Sequence, residues 1–152
     1  MKNQIGTFMG FVVALGIAGI AYGAAPGLFE THAVKIGDLS GKVEVHRAAE
    51  AMVSMGSKTA PPGSDKRHYL ALTLKDAKGK EIKDAKVEAI VTLPGGKKEK
   101  KPLVWMVMGA MPGHYGNDFS EVGKGPFSVE LSVTAGGKTS KGTAAYKAEG
   151  GK

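Results

Sequence analysis

The chain has 152 residues and a formal net charge of +7, from 21 Lys and Arg against 14 Asp and Glu; one domain is the default at that length. It contains no cysteine, which excludes disulfide staples, zinc fingers, thiolate metal centres and cysteine nucleophiles. Its 23 glycines are about twice average usage and predict many tight turns rather than long helices.

The chain opens with Lys2, then an uncharged, mostly apolar run from Ile5 to Ala21, then Ala21-Tyr22-Gly23 ahead of Ala24. This is the layout of a secretory signal peptide over residues 1–23. A retained membrane anchor is the alternative, because a run of about 17 apolar residues reaches the lower limit for spanning a bilayer. Either way residues 24–152, a single domain, lie across the membrane, and the expected location is the periplasm. Loss of residues 1–23 removes one lysine and no acid, lowering the formal charge from +7 to +6.

The body reads as β-structure. Ala33–Ile36 and Lys42–His46 flank Gly37-Asp38 as a candidate strand pair. Arg47 to Met55 has helix-forming composition but is short enough to continue a strand instead. Gly56 to Lys66, with Pro61-Pro62-Gly63, reads as a loop. His68 to Leu74 alternates with period two, placing Leu70, Leu72 and Leu74 on one face, and Asp76-Ala77-Lys78-Gly79 ends it. Val87, Ala89, Val91 and Leu93 repeat the pattern before Pro94-Gly95-Gly96, and Leu103 to Met108 is an apolar run bounded by Pro102 and Gly109. Phe127, Val129, Leu131 and Val133 lead to Gly136-Gly137, a hairpin signal, and Thr139 to Lys147 pairs back as the last strand. About seven strands at this spacing predict an all-β fold, a two-sheet antiparallel sandwich, behind an N-terminal signal or anchor helix.

Few residues suggest chemistry. The chain has no G-x-S-x-G elbow, and Gly95-Gly96-Lys97 lacks the rest of a phosphate loop. The acids mostly sit beside lysines in turns, as Asp76, Glu81, Asp84 and Glu99 do, which reads as solvated surface rather than a glycosidase pair. The lysines are scattered and have no interleaved aromatic platform, so nucleic acid is not an expected partner. No catalytic turnover is predicted.

What stands out is Met106-Val107-Met108-Gly109-Ala110-Met111-Pro112-Gly113-His114. It holds three of the five methionines beyond residue 23 and one of four histidines. Thioether plus imidazole is a soft donor set that suits copper, Cu(I) above all, and without cysteine methionine is the only soft sulfur present. A blue-copper centre is closed, since it requires a thiolate. Methionines in an apolar strand also serve as core filler. His68 shares parity with Leu70 and reads also as a partly buried histidine with one hydrogen bond, while His32 and His46 read as surface residues.

At these residues the sequence resembles a known family. Met106 to Phe119, with His114-Tyr115-Gly116-Asn117 at its centre and Gly123-Lys124-Gly125-Pro126-Phe127 after it, looks like the periplasmic iron-transport accessory family. The run from His68 also resembles YtkA-like domains, and together the likeness covers residues 66–147. It implies an immunoglobulin-like copper-binding sandwich working beside an iron permease. The family's site has a methionine ending the strand before the loop, the histidine of the His-Tyr-Gly motif, and a His-x-Glu pair on an earlier strand. The first two carry over to Met106 or Met108 and to His114. The third does not carry over: His46-Arg47-Ala48 and His68-Tyr69-Leu70 both lack the glutamate.

The expected ligand set is soft sulfur at Met106, Met108 and Met111 and imidazole at His114, with His68, which opens the YtkA-like run, as the second nitrogen. Tyr115 and Asn117 would shape the loop, with Gly116 supplying a positive φ. The metal expected is copper, with iron second. Expected partners are the metal ion, an inner-membrane permease or another periplasmic metal protein, and a second copy of the chain. The competing reading is an immunoglobulin-like interaction module without metal, its methionines filling the core.

Overall fold

The computed structural model describes residues 28–120 and 125–147. The predicted signal or anchor segment lies outside the described residues, among which no helix is long and apolar enough to cross a membrane. The described residues form eight strands and one short helix. These are β1 (Leu28–Ile36), β2 (Leu39–Arg47), α1 (Ala48–Ser54), β3 (Arg67–Lys75), β4 (Lys86–Thr92), β5 (Lys98–Met106), β6 (His114–Ser120), β7 (Phe127–Ala135) and β8 (Lys138–Tyr146), with a single 3₁₀ turn at Ser64–Lys66.

All strand pairs are antiparallel, in the order β1-β2-β3-β6-β5-β4-β7-β8. The two layers are halves of one sheet, joined by β5. Its first part, Lys98 to Leu103, pairs with β4, and its last three residues, Val104 to Met106, pair with β6. At the far side β8 lies against β1, and Gly142 permits this approach, because a Cβ there would press on the Lys35 carbonyl and Ile36. The predicted all-β fold is therefore observed, barrel-like, with eight strands rather than about seven. The additional strand is β6, whose His114-Tyr115-Gly116-Asn117-Asp118 shows no apolar alternation.

The main core follows the period-two pattern. Leu70, Leu72 and Leu74 of β3 face Val87, Ala89 and Val91 of β4 and Phe127, Val129, Leu131 and Val133 of β7, all buried. Each fully buried side chain of this size contributes about 1.5–3 kcal/mol. The hairpins turn where glycine was predicted to turn them: Gly136 and Gly137, at φ 56° and 78°, join β7 to β8 with both residues in the left-handed region, as a two-residue hairpin requires.

One part of the outer surface of this sheet is covered as well. Residues 47–55 resolve as a helix only over Ala48–Ser54, too short to stand without packing. Ala48 and Ala51 face the sheet and are buried, and their small side chains bring the helix close to β2 and β3. The β5–β6 connection is hitched to its C-terminal end by Ala110 N–H donating to the Ser54 carbonyl at 2.9 Å. Gly109, at φ 60°, passes so near that carbonyl that any Cβ would collide with it. A second, smaller apolar cluster is enclosed in this way between the sheet and α1.

Candidate metal centre

Register decides which side chains meet under α1. On β2, Val43 and Val45 point into the main core, so Glu44 and His46 point to the opposite face. His46 pairs with Tyr69 on β3 and Glu44 with Ala71. On β6, Tyr115 and Phe119 face the core, so His114 and Gly116 share the outer face with Tyr69. Met106, the last residue of β5, is paired directly with His114. The outer face thus collects Glu44, His46, Tyr69, Met106 and His114 from four strands, and α1 with the β5–β6 connection closes over them.

The His114 ring is fixed at both nitrogens. Its Nδ1 lies 2.7 Å from the Pro112 carbonyl, which can only accept, so Nδ1 carries the proton. Nε2 is then the lone-pair nitrogen, and it accepts from the Tyr69 hydroxyl at 2.8 Å. The same hydroxyl lies 3.7 Å from Met106 Sδ. Burial pushes His114 below the usual histidine range, against the pull of the Pro112 carbonyl, and the neighbouring His46 adds to the lowering. His114 is neutral at pH 7, and its Nε2 lone pair is engaged by the Tyr69 hydroxyl, the same group that the Met106 thioether faces. A ligating histidine is commonly oriented this way, by donating its other ring N–H to a carbonyl.

Tyr69 reaches this point by lying across β6 in the slot left by Gly116, where any Cβ would collide with its Oη and Cζ. This corrects the expected role of Gly116: it is extended within β6 and serves clearance, not a positive φ. Tyr115 and Asn117 likewise do not shape a loop. The Tyr115 hydroxyl donates to the Ile82 carbonyl and accepts from Ala85 N–H on the core side, and Asn117 Nδ2 donates to the Pro102 carbonyl across β5. Burial also holds the Tyr69 phenol well above its ordinary pKa, so it remains a neutral donor.

His46 flanks the other side of Tyr69, with ring centroids 6.5 Å apart in an edge-on arrangement. It is fully buried, which corrects its reading as a surface histidine. Glu44 lies 3.6 Å from His46 Nε2 and pairs with Lys42 at 2.7 Å. Hydrogen bonding from His46, with help from Lys42, outweighs burial and lowers the Glu44 carboxyl to about 2. It is therefore an anion at the rim of the cluster.

Of the five expected ligands, the structure brings three to this cluster: His114, Met106 and the buried Met111. Met108 is not among them. β5 stops at Met106, and Met108 stands 50% exposed on the connection, so the expected common face of Met106 and Met108 does not form. His68 is on the wrong face altogether. It shares the core side with Leu70, accepts from or donates to the Tyr146 hydroxyl at 2.6 Å, and packs on Phe119 and Phe127. Sequence reasoning missed Glu44, His46 and Tyr69. The signal was present, since Glu44-x-His46 has strand parity opposite to Val43 and Val45, and Tyr69 has parity opposite to the leucines. Among the described residues no three His, Asp or Glu side chains close on one point, so any ion held here takes a mixed imidazole and thioether set.

Neither a protein-family model nor a curated protein matches the chain. Solved structures do. The chain is similar in fold to FetP. The as-isolated protein from uropathogenic Escherichia coli strain F11, expressed in the periplasm, aligns with a TM-score of 0.59 at 12% identity, covering 78% of this chain and 96% of FetP. A copper-bound single-residue variant of FetP aligns at 0.56 and 13% identity, covering 80% and 95%. At this identity the likeness establishes a shared fold.

Proposed function

We propose that the chain is an exported, periplasmic copper-binding protein that captures or delivers the ion without catalytic turnover. The ion is held between Met106 Sδ and His114 Nε2, with His46 as the second imidazole and Glu44 as the adjacent anion. The observation that carries this reading is the convergence of a neutral, pre-oriented imidazole lone pair and a thioether on one hydroxyl, that of Tyr69. Soft sulfur beside imidazole favours Cu(I) over harder divalent ions. The copper-bound state of a FetP variant supports the choice of metal, and the FetP-like fold together with the signal-like N-terminus supports the compartment. Delivery to an inner-membrane permease, in service of iron uptake, is the role we assign to it.

The test is a titration with Cu(I) held by a competing chelator, run beside Cu(II), Fe(II) and Zn(II). Loss of one tightly held Cu(I) equivalent in Met106→Ala and His114→Ala, with that equivalent kept in Met108→Ala and His68→Phe, supports the assignment. Absent binding, or binding indifferent to Met106 and His114, overturns it. One observation favours a second reading, a non-metal interaction module. A mostly apolar groove lined by Ala49, Glu50, Val53, Ser54, Ala60 and Ala110 lies beside α1, and Val53 and Val107 are 48% and 70% exposed. Cu(I) binding also decides between the two.

A further inference from the structure

The two apolar clusters differ in one residue type. Among the described residues the main core contains no methionine, neither in its buried set nor among the side chains packed against it. The cluster under α1 holds Met111 buried and Met52, Met55 and Met106 half-buried, around Ala48, Ala51, Tyr69 and Ala71. Met108 follows Met106 by two positions on the exposed connection. Four of the five methionines beyond residue 23 therefore pack in the cluster of Tyr69, the hydrogen-bond partner of His114, and the fifth is on the adjoining connection. Packing alone does not call for this, because leucine fills comparable volume with better-defined rotamers and methionine serves as an occasional gap filler.

The helix shows how the arrangement is built. Positions 48, 51, 52 and 55 follow the i, i+3, i+4, i+7 spacing of one helix face, and they are occupied by Ala, Ala, Met and Met. The two alanines let α1 approach the sheet, and the two methionines then overhang the outer face that carries Tyr69. Met111 comes to the same cluster from the β5–β6 connection, held by the Gly109 and Ala110 contacts with Ser54. His114 is 3% exposed, whereas Met52, Met55 and Met106 are half-buried. An ion arriving from solvent on this side meets sulfur before it meets nitrogen.

We propose that Met52, Met55 and Met111 form a second soft-metal site, made of thioethers alone, that takes a monovalent d¹⁰ cation and passes it inward to Met106 and His114. The inference rests on the proposed copper-binding reading for the ion's destination, though not for its own ligands. Neutral thioethers select Cu(I) over Cu(II), zinc and hard divalent ions. They carry no proton to lose at neutral pH and add no negative charge, so they hold the ion loosely enough to hand it on.

The experiment is a titration of the purified protein, ¹³C-labelled at the methionine methyls, with Ag(I) as a redox-silent stand-in for Cu(I). The proposal expects Met52, Met55 and Met111 to shift together in a phase separate from Met106, and two Ag(I) bound per chain. Met52→Leu with Met55→Leu, which conserves volume, removes one of the two equivalents and slows loading of His114. In His114→Ala the shifts of Met52, Met55 and Met111 persist. The proposal is overturned if these three methyls stay fixed after Met106 has saturated, or if the double leucine variant, folded by its near-UV spectrum, still binds two ions. Shifts at Met52, Met55 and Met111 with Met106 unmoved would support the thioether site while refuting the Met106–His114 assignment.

Discussion

The Tyr69 hydroxyl occupies the point where His114 Nε2 and Met106 Sδ converge, so an ion bound there must break the 2.8 Å hydrogen bond to His114. Replacing Tyr69 with Phe removes that competitor and leaves the ring in its slot over Gly116. A hydrogen bond of this kind contributes about 0.5–1.5 kcal/mol net, and since each 1.4 kcal/mol is tenfold, Cu(I) affinity is expected to rise about 2- to 12-fold. The metal-free protein moves the other way. A buried Nε2 left without its donor costs about 1–3 kcal/mol, which for a domain of this size lowers the midpoint of thermal unfolding by roughly 4 °C or more. Competition titration and differential scanning calorimetry on the same preparations read both quantities. Opposite signs, looser folding without metal and tighter binding with it, identify Tyr69 as an occupant displaced by the ion. Weaker Cu(I) binding in Tyr69→Phe would refute this reasoning, because it would make the phenol a ligand or support for the bound state.

Three further outcomes are expected. Gly116→Ala is destabilised by about 1–3 kcal/mol in chemical denaturation, as an overpacked site is, and Tyr69→Phe does not relieve it, because the collision includes the ring carbon Cζ as well as the hydroxyl. His68→Phe leaves Cu(I) affinity within about twofold, since the two sites lie on opposite faces of the sheet and act independently. It lowers stability, because the buried Tyr146 hydroxyl loses its partner at 2.6 Å. Metal-free stability falls as pH drops below the ordinary histidine value of 6.5, because burial depresses His114 in the folded state and only the unfolded chain takes up that proton there. A second loss follows below 4.5 as the Glu44 carboxyl, held at about 2 by His46 and Lys42, is outcompeted by protonation of the unfolded chain. Urea midpoints across pH 3–8 check both, with His114→Gln removing the first step and Glu44→Gln the second.

What was legible in the sequence was whatever a single strand encodes by itself. Leu70, Leu72 and Leu74 announce a buried face, Phe127 to Val133 another, and Gly136-Gly137 a hairpin, because period-two alternation and turn glycines act over a few residues. β6 was not legible. Its inward positions are Tyr115, Asn117 and Phe119 and its outward ones His114, Gly116 and Asp118, so polarity does not alternate, and the reason for Gly116 appears only when Tyr69, distant in sequence, is laid across it. The site suffers the same limitation more severely. Met106 and His114 are near in sequence, and a strand ending in a loop already suggested them. Their companions depend on the register of β2 against β3 and β3 against β6, which no local pattern specifies.

The choice between His46 and His68 shows what a second imidazole requires here. Each histidine is fully buried and each lies on a strand of the same sheet half. In β3 the histidine has the parity of three leucines, and burial among Phe119, Phe127 and Tyr146 makes it part of the core. In β2 the histidine has the parity of Glu44, two residues before it, so the strand pairs an imidazole and a carboxylate on the face opposite Val43 and Val45. A carboxylate on a core-facing position would meet an uncompensated burial cost, so Glu44 itself marks β2's outer face as the polar one. The order of the pair along the strand is immaterial to that argument, since positions two apart share a face in either direction. That shared parity of Glu44 and His46, opposite to Val43 and Val45, is what leads from β2 to the outer face and to the cluster beneath α1.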